Sequence, residues 1–147
     1  MRALVVPMPA LLFFFFFALP PAAGAGDAAV NSADAAAIRA VIANQLDAFL
    51  KDDGTAAFAY ASPTIQKIFG DPDTFMEMVR TGYQPVYRAR AVEFRDLGTV
   101  DGRLIQQVYM VGPDGVPVLA LYEMQRQPDG SWRINGCAIA KAPDQGV

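Results

Sequence analysis

The chain has 147 residues, enough for one domain, and its 12 basic against 15 acidic side chains leave a net charge of −3. Such a balance argues against nucleic acid as a partner, because phosphate binding depends on clustered Lys and Arg, and the arginines between Arg80 and Arg103 are scattered among acids. There is no histidine, which excludes histidine-based triads, His-ligated zinc and imidazole acid–base chemistry.

Residues 1–25 read as a signal peptide: Arg2 near the start, an apolar run from Ala10 to Leu19, then prolines and the small residues Ala23-Gly24-Ala25. The rival is an uncleaved anchor, since residues 3–26 carry no charge. A span needs roughly 20 predominantly apolar residues, and Pro7, Pro9, Pro20 and Pro21 interrupt this one. The expected location is therefore periplasmic or secreted, with the membrane a partner only if the segment stays uncleaved. The remaining chain buries roughly two-thirds of its unfolded surface, so it needs neither metal nor disulfide. Cys137, the lone cysteine, has no intramolecular partner.

Residues 26–32 read as a flexible tail, followed by a domain at 33–142 and a short tail at 143–147. Ser32 or Asp34 is suited to cap a first helix running to about Lys51. Ile38, Val41, Ile42, Leu46, Phe49 and Leu50 recur at three- and four-residue spacing and form one apolar stripe. Asp52-Asp53-Gly54 stops it, with Gly54 suited to a left-handed capping position. Short helices follow at Thr55–Ala61, after Ser62-Pro63, and after Asp71-Pro72 through Thr81; each X-Pro pair is a cap with proline at the first helical position. Tyr83–Tyr87 contains Pro85 and reads as a short extended edge.

Four β runs then occupy about 91–100, 103–111, 116–127 and 131–141, joined by the turn signals Asp101-Gly102, Gly112–Gly115 and Pro128-Asp129-Gly130. The expected class is α+β: a long N-terminal helix and short helices packed on a curved antiparallel sheet of four main strands. Turn lengths set the register. Arg126 falls opposite Trp132, Met124 opposite Ile134, Tyr122 opposite Gly136 and Ala120 opposite Ala138. Phe94, Ile105 and Tyr109 join that face. The other face collects Leu119, Leu121, Cys137, Ile139, Leu97, Val108 and Met110, and reads as a surface for homodimer formation.

Three groupings invite chemistry. Asp96, Gln107, Tyr109 and Tyr122 fall on the Trp132 face, with Tyr60 facing them from the helices. A buried Asp among tyrosines can exchange a proton, since burial raises its pKa; the plainer account is hydrogen bonding within a packed core. Asp52-Asp53 and Asp71-x-Asp73 lack the ligand pattern of a calcium loop and are explained by helix ends. Cys137 has apolar neighbours and no activating histidine, so it reads as a structural thiol. Arg126 over Trp132 reads as a cation–π contact. No metal or other cofactor is expected.

Gln45–Phe49 with Asp52-Asp53, Ala57-Phe58, Ala61–Gln66, Phe75–Val79, Gly82-Tyr83-x-Pro85-Val86 and Asp129-Gly-x-Trp-x-Ile-x-Gly-Cys137 together resemble a bacterial domain-of-unknown-function family of small exported proteins. The order of elements, ending in Gly-x-Trp-x-Ile, is more distantly similar to the nuclear-transport-factor-two-like superfamily, which includes SnoaL-like and ketosteroid-isomerase-like proteins. That resemblance implies a cone-like fold whose mouth can hold a ligand. Some such proteins use Asp, Tyr or His inside the cone, and others bind partners or dimerise through the sheet. The reading that follows is an exported domain binding a small apolar ligand or a partner protein without catalysis. Its alternatives are a cofactor-free isomerase or lyase working through Asp96 with Tyr109 or Tyr122, and a structural envelope-associated protein with a filled core.

Overall fold

The computed structural model describes residues 30–143. The expected signal peptide and the outer parts of both tails lie outside the described residues. Helices come first: α1 (Ser32–Leu50), α2 (Gly54–Ala59), α3 (Pro63–Phe69), α4 (Pro72–Gly82) and α5 (Gln84–Tyr87). Four strands follow, β1 (Ala91–Val100), β2 (Arg103–Val111), β3 (Pro117–Arg126) and β4 (Trp132–Lys141), in one antiparallel sheet of order β1-β2-β3-β4. The class is α+β. None of the described helices is long and apolar enough to cross a membrane.

The helix ends are written locally in the sequence. Asn31, and neither Ser32 nor Asp34 as expected, is the cap, and it closes a capping box: its side chain accepts the Asp34 N–H at 2.8 Å, while the Asp34 carboxylate accepts the Asn31 N–H at 3.4 Å. Ser62 and Asp71 cap α3 and α4, each followed by proline in the first turn. After α1 the left-handed residue is Asp52, with φ of 52°, and not Gly54. Gly54 instead opens α2, where a Cβ would lie 2.8 Å from Met76 Cγ. Tyr83–Tyr87 is not extended. Pro85 occupies the first turn of α5, where a missing N–H is harmless, and the Tyr83 carbonyl accepts from the Val86 and Tyr87 amides.

The stripe of α1 buries Ile38, Ile42, Leu46 and Phe49, joined by Gln45 and Ala48, whereas Leu50 remains 52% exposed. It covers one sheet face, whose buried apolar residues are Val108, Met110, Ala120, Tyr122, Met124, Trp132 and Ile134. The N-terminus of α1 is tied to the far end of the β3–β4 hairpin. Asp34 pairs with Arg126 at 2.6 Å and accepts from Trp132 Nε1–H at 3.4 Å, and the Arg126 guanidinium lies 4.7 Å above the Trp132 ring.

The register departs from the turn-based expectation in three places. Near the Pro128-Asp129-Gly130 turn it agrees, with Arg126 opposite Trp132 and Met124 opposite Ile134. Asn135 is then an extra residue, so Glu123 faces Gly136, Tyr122 faces Cys137 and Ala120 faces Ile139. A one-residue shift exchanges faces, which turns Cys137 and Ile139 toward the helices. Between β2 and β3, Val116 belongs to the connection, because Val111 pairs with Pro117. Val108 and Met110 therefore lie under the helices, while Ile105, Gln107 and Tyr109 lie on the outer face with Leu119 and Leu121. In β1 an irregularity between Phe94 and Leu97 offsets the previous shift, and Phe94 returns to the helix side opposite Val108. The expected Cys137-bearing outer surface is thus replaced by one built from Ile105, Tyr109, Leu119 and Leu121.

Candidate functional site

The bulge at Asn135 is pinned by the loop between α2 and α3. Ile134 N–H donates to the Tyr60 carbonyl at 2.9 Å, Ser62 N–H donates to the Ile134 carbonyl at 2.8 Å, and Ser62 Oγ–H donates to Asn135 Oδ1 at 2.7 Å. Ala61 forms a parallel bridge with Ile134. These bonds hold α3 over the end of β4 and leave a space between helices and sheet.

That space is a cavity of about 310 Å³, at the lower end of the range for small-molecule pockets. Gln45 and Phe49 of α1, Ile65 and Phe69 of α3, and Phe75, Met78 and Val79 of α4 form the helical wall; Ala61, Tyr83 and Val86 fill the gaps between them. Tyr122, Ile134, Gly136 and Cys137 form the sheet wall. Phe75 organises the aromatic part, with ring centroids 6.2 Å from Phe49, 5.4 Å from Phe58 and 5.8 Å from Phe69. Edge and tilted contacts at such distances add to burial.

Few polar groups reach the walls. Buried Gln45 donates from Nε2 to the Ala57 carbonyl at 3.1 Å, and Tyr83 O–H donates to the Cys137 carbonyl at 3.0 Å. Tyr122 is 1% exposed, and its hydroxyl has no hydrogen-bond partner. It lies close enough to the Cys137 thiol for each to affect the other's ionisation, yet the pair does not reach hydrogen-bonding geometry. Burial raises the Tyr122 and Tyr83 phenols above the ordinary tyrosine value. Burial pushes the Cys137 thiol up to about 12, against a smaller lowering by the Tyr122 hydroxyl. Among the described residues no Asp, Glu, Lys or Arg lines the walls.

Of the residues singled out in the sequence, Tyr122 lies on the cavity wall. The structure does not bring the other candidate ligand-binding residues, Tyr60, Asp96, Gln107 and Tyr109, to it. Tyr60 ends α2 and contributes its carbonyl to β4. Asp96 is exposed at the irregularity of β1. Gln107 and Tyr109 lie on the outer face, where Arg95 stacks 4.9 Å from the Tyr109 ring. Asp53 and Asp71 cap α2 and α4, accepting the Ala56 and Thr74 amides at 3.1 and 2.7 Å. Asp52 accepts from the Tyr87 hydroxyl and, at 2.8 Å, from Arg88. Among the described residues no group of acidic or cysteine side chains converges as a metal site requires.

Gln45, Tyr83 and Cys137 are cavity residues that the sequence reasoning missed. Gln45 had a signal, being a polar side chain between Ile42, Leu46 and Phe49 on the buried stripe. Cys137 had none, because its orientation depends on the bulge.

A family model described as a domain of unknown function (DUF4864) matches residues 31–147. The chain belongs to that family. The match begins at Asn31, the cap of α1, and takes in every described element of this DUF4864 domain. Comparison with curated proteins and with solved structures found no match.

Proposed function

We propose that this domain is exported and binds a small, mostly apolar molecule between its helices and its sheet, without catalysis. The observation that carries the reading is the cavity, whose wall is apolar apart from Gln45, Tyr83, Tyr122 and Cys137. General acid–base work needs a group that exchanges protons near the operating pH. The ionisable wall groups are two phenols and a thiol, all moved further from neutrality by burial. Asp96, the base of the isomerase alternative, lies outside the wall. Export rests on the pattern of residues 1–25, and a cone-like enclosure on the placement of helices over one sheet face.

Native mass spectrometry of the purified protein, with fluorescence titration by an anilinonaphthalene dye, tests the reading. The expected result is a saturable single site that Met78→Trp weakens at least about tenfold, because the indole occupies the space the dye needs. Absence of both dye binding and any retained molecule would favour the filled-core structural protein.

A second reading concerns partners. Ile105, Tyr109, Leu119 and Leu121 are half-buried on a sheet face that none of the described helices covers, and the same face carries Arg103 within 4.0 Å of Glu123 and Arg95 within 3.3 Å of Glu93. Charges of both signs around an apolar centre suit a second copy related by a two-fold axis. Sedimentation equilibrium should give a dimer that Leu121→Glu converts to monomer; a monomer at all concentrations rejects this.

A further inference from the structure

We infer that the molecule taken into the cavity is uncharged and carries an oxygen acceptor at its buried end, met there by the Tyr122 hydroxyl. The inference rests on the ligand-binding reading above and narrows it. Three polar side chains other than Cys137 line the cavity, and two already have partners: Gln45 donates to Ala57, and Tyr83 donates to the Cys137 carbonyl. Tyr122 does not. Its hydroxyl oxygen exposes less than 1 Å² and has no partner among protein groups, so water does not satisfy it and a ligand oxygen reaches it once neighbouring side chains of the sheet wall give way; the Cys137 sulfur beside it is a weak acceptor.

A buried hydroxyl without an acceptor is an unfavourable state that a bound ketone, ester or ether oxygen relieves. An alkane of the same shape gains the apolar contacts and nothing more. A carboxylate also accepts from the phenol, but it must shed its water where no Lys or Arg lines the wall, and an unpaired buried charge is strongly disfavoured. The three chemistries should therefore rank with the neutral oxygen compound first.

Displacement of the bound dye by methyl heptyl ketone, nonane and nonanoate measures that ranking at matched carbon number. The ketone should bind about three- to tenfold more tightly than nonane, the range one neutral hydrogen bond supplies, and nonanoate no more tightly than nonane. Tyr122→Phe keeps the ring and removes only the unpartnered oxygen; it should abolish the ketone's advantage and leave nonane unchanged. Equal binding of ketone and nonane overturns the inference, as does nonanoate binding most tightly or a ketone preference that survives Tyr122→Phe. In those outcomes an apolar ligand still binds and the wider reading stands. If none of the three binds and the dye does not either, both fall together. The ranking in the parent protein decides the matter even if the variant misfolds.

Discussion

Ser62 and Asn135, 73 positions apart, meet where β4 carries its extra residue: Ser62 Oγ–H donates to Asn135 Oδ1 at 2.7 Å, and the same oxygen accepts the Ile65 N–H at 3.2 Å. One hydroxyl thus caps α3 and fixes the bulge that turns Cys137 into the cavity. Ser62 is fully buried, so its removal leaves unmet groups rather than rehydrated ones. Ser62→Ala should destabilise the domain by about 1–3 kcal/mol, measured as a lower denaturant midpoint at unchanged slope.

Deleting Asn135 addresses the bulge itself. With the extra residue gone, β4 would alternate regularly, Ile134 opposite Met124 and Gly136 opposite Glu123 as now, so Cys137 and Ile139 keep the side they have. What is lost is the local bend and the bond from Ser62 to Asn135 Oδ1. The deletion should therefore still fold cooperatively, with a lower thermal midpoint, and Asn135→Ala, which keeps the residue count, should lower it less.

Cys137 should be slow to react with dithionitrobenzoate in the native state. The thiolate is the nucleophile, and a thiol held up to about 12 is almost wholly protonated at neutral pH. Its rate should climb with pH throughout the alkaline range accessible to the folded protein. Denaturation restores the ordinary thiol and should accelerate labelling by orders of magnitude. Cys137 as a whole is half-buried, and fast labelling of the native protein at neutral pH contradicts a thiol held up by desolvation.

The Asp34 carboxylate links acid stability to a single side chain. Partial desolvation tends to raise its pKa, but the Asn31 amide, the Trp132 indole and the Arg126 guanidinium outweigh it and hold the group below its usual 3.8. A carboxylate depressed in the folded state stabilises above its unfolded pKa and loses that contribution as pH falls through the folded value. Asp34→Asn should therefore lower the melting temperature at neutral pH, with the gap closing below about pH 3.8. A gap that persists unchanged in strong acid argues against the ionised pair.

Features that depend on near neighbours were legible in the sequence. Ser62-Pro63 and Asp71-Pro72 open α3 and α4 as read, and Asp101-Gly102 forms its turn with both residues at positive φ. The four strands lie within a residue or two of their expected limits. Features that depend on distant partners were not. The β4 bulge is held by Ser62, far away in the chain, and the β1 irregularity by Gln106, whose buried amide donates to the Arg95 carbonyl at 2.9 Å. A turn-based register carries no term for either. The site followed the same division: Tyr122 lies before the β4 bulge and its side was read correctly, whereas Cys137 lies beyond it.

The β1 irregularity matters to more than register. β4 has Ala61 bridged along its outer side, but β1 is the other edge of the sheet. An edge of evenly spaced N–H and C=O groups is a template on which foreign strands can grow, the first step toward amyloid-like stacking. In β1 that row is broken between Phe94 and Leu97, with Arg95 and Asp96 at the break and Glu93 just before it. A strand docking there would meet misaligned hydrogen-bonding groups and charge of both signs. The kink that confounds a simple register thereby also disfavours the addition of a fifth strand at this edge.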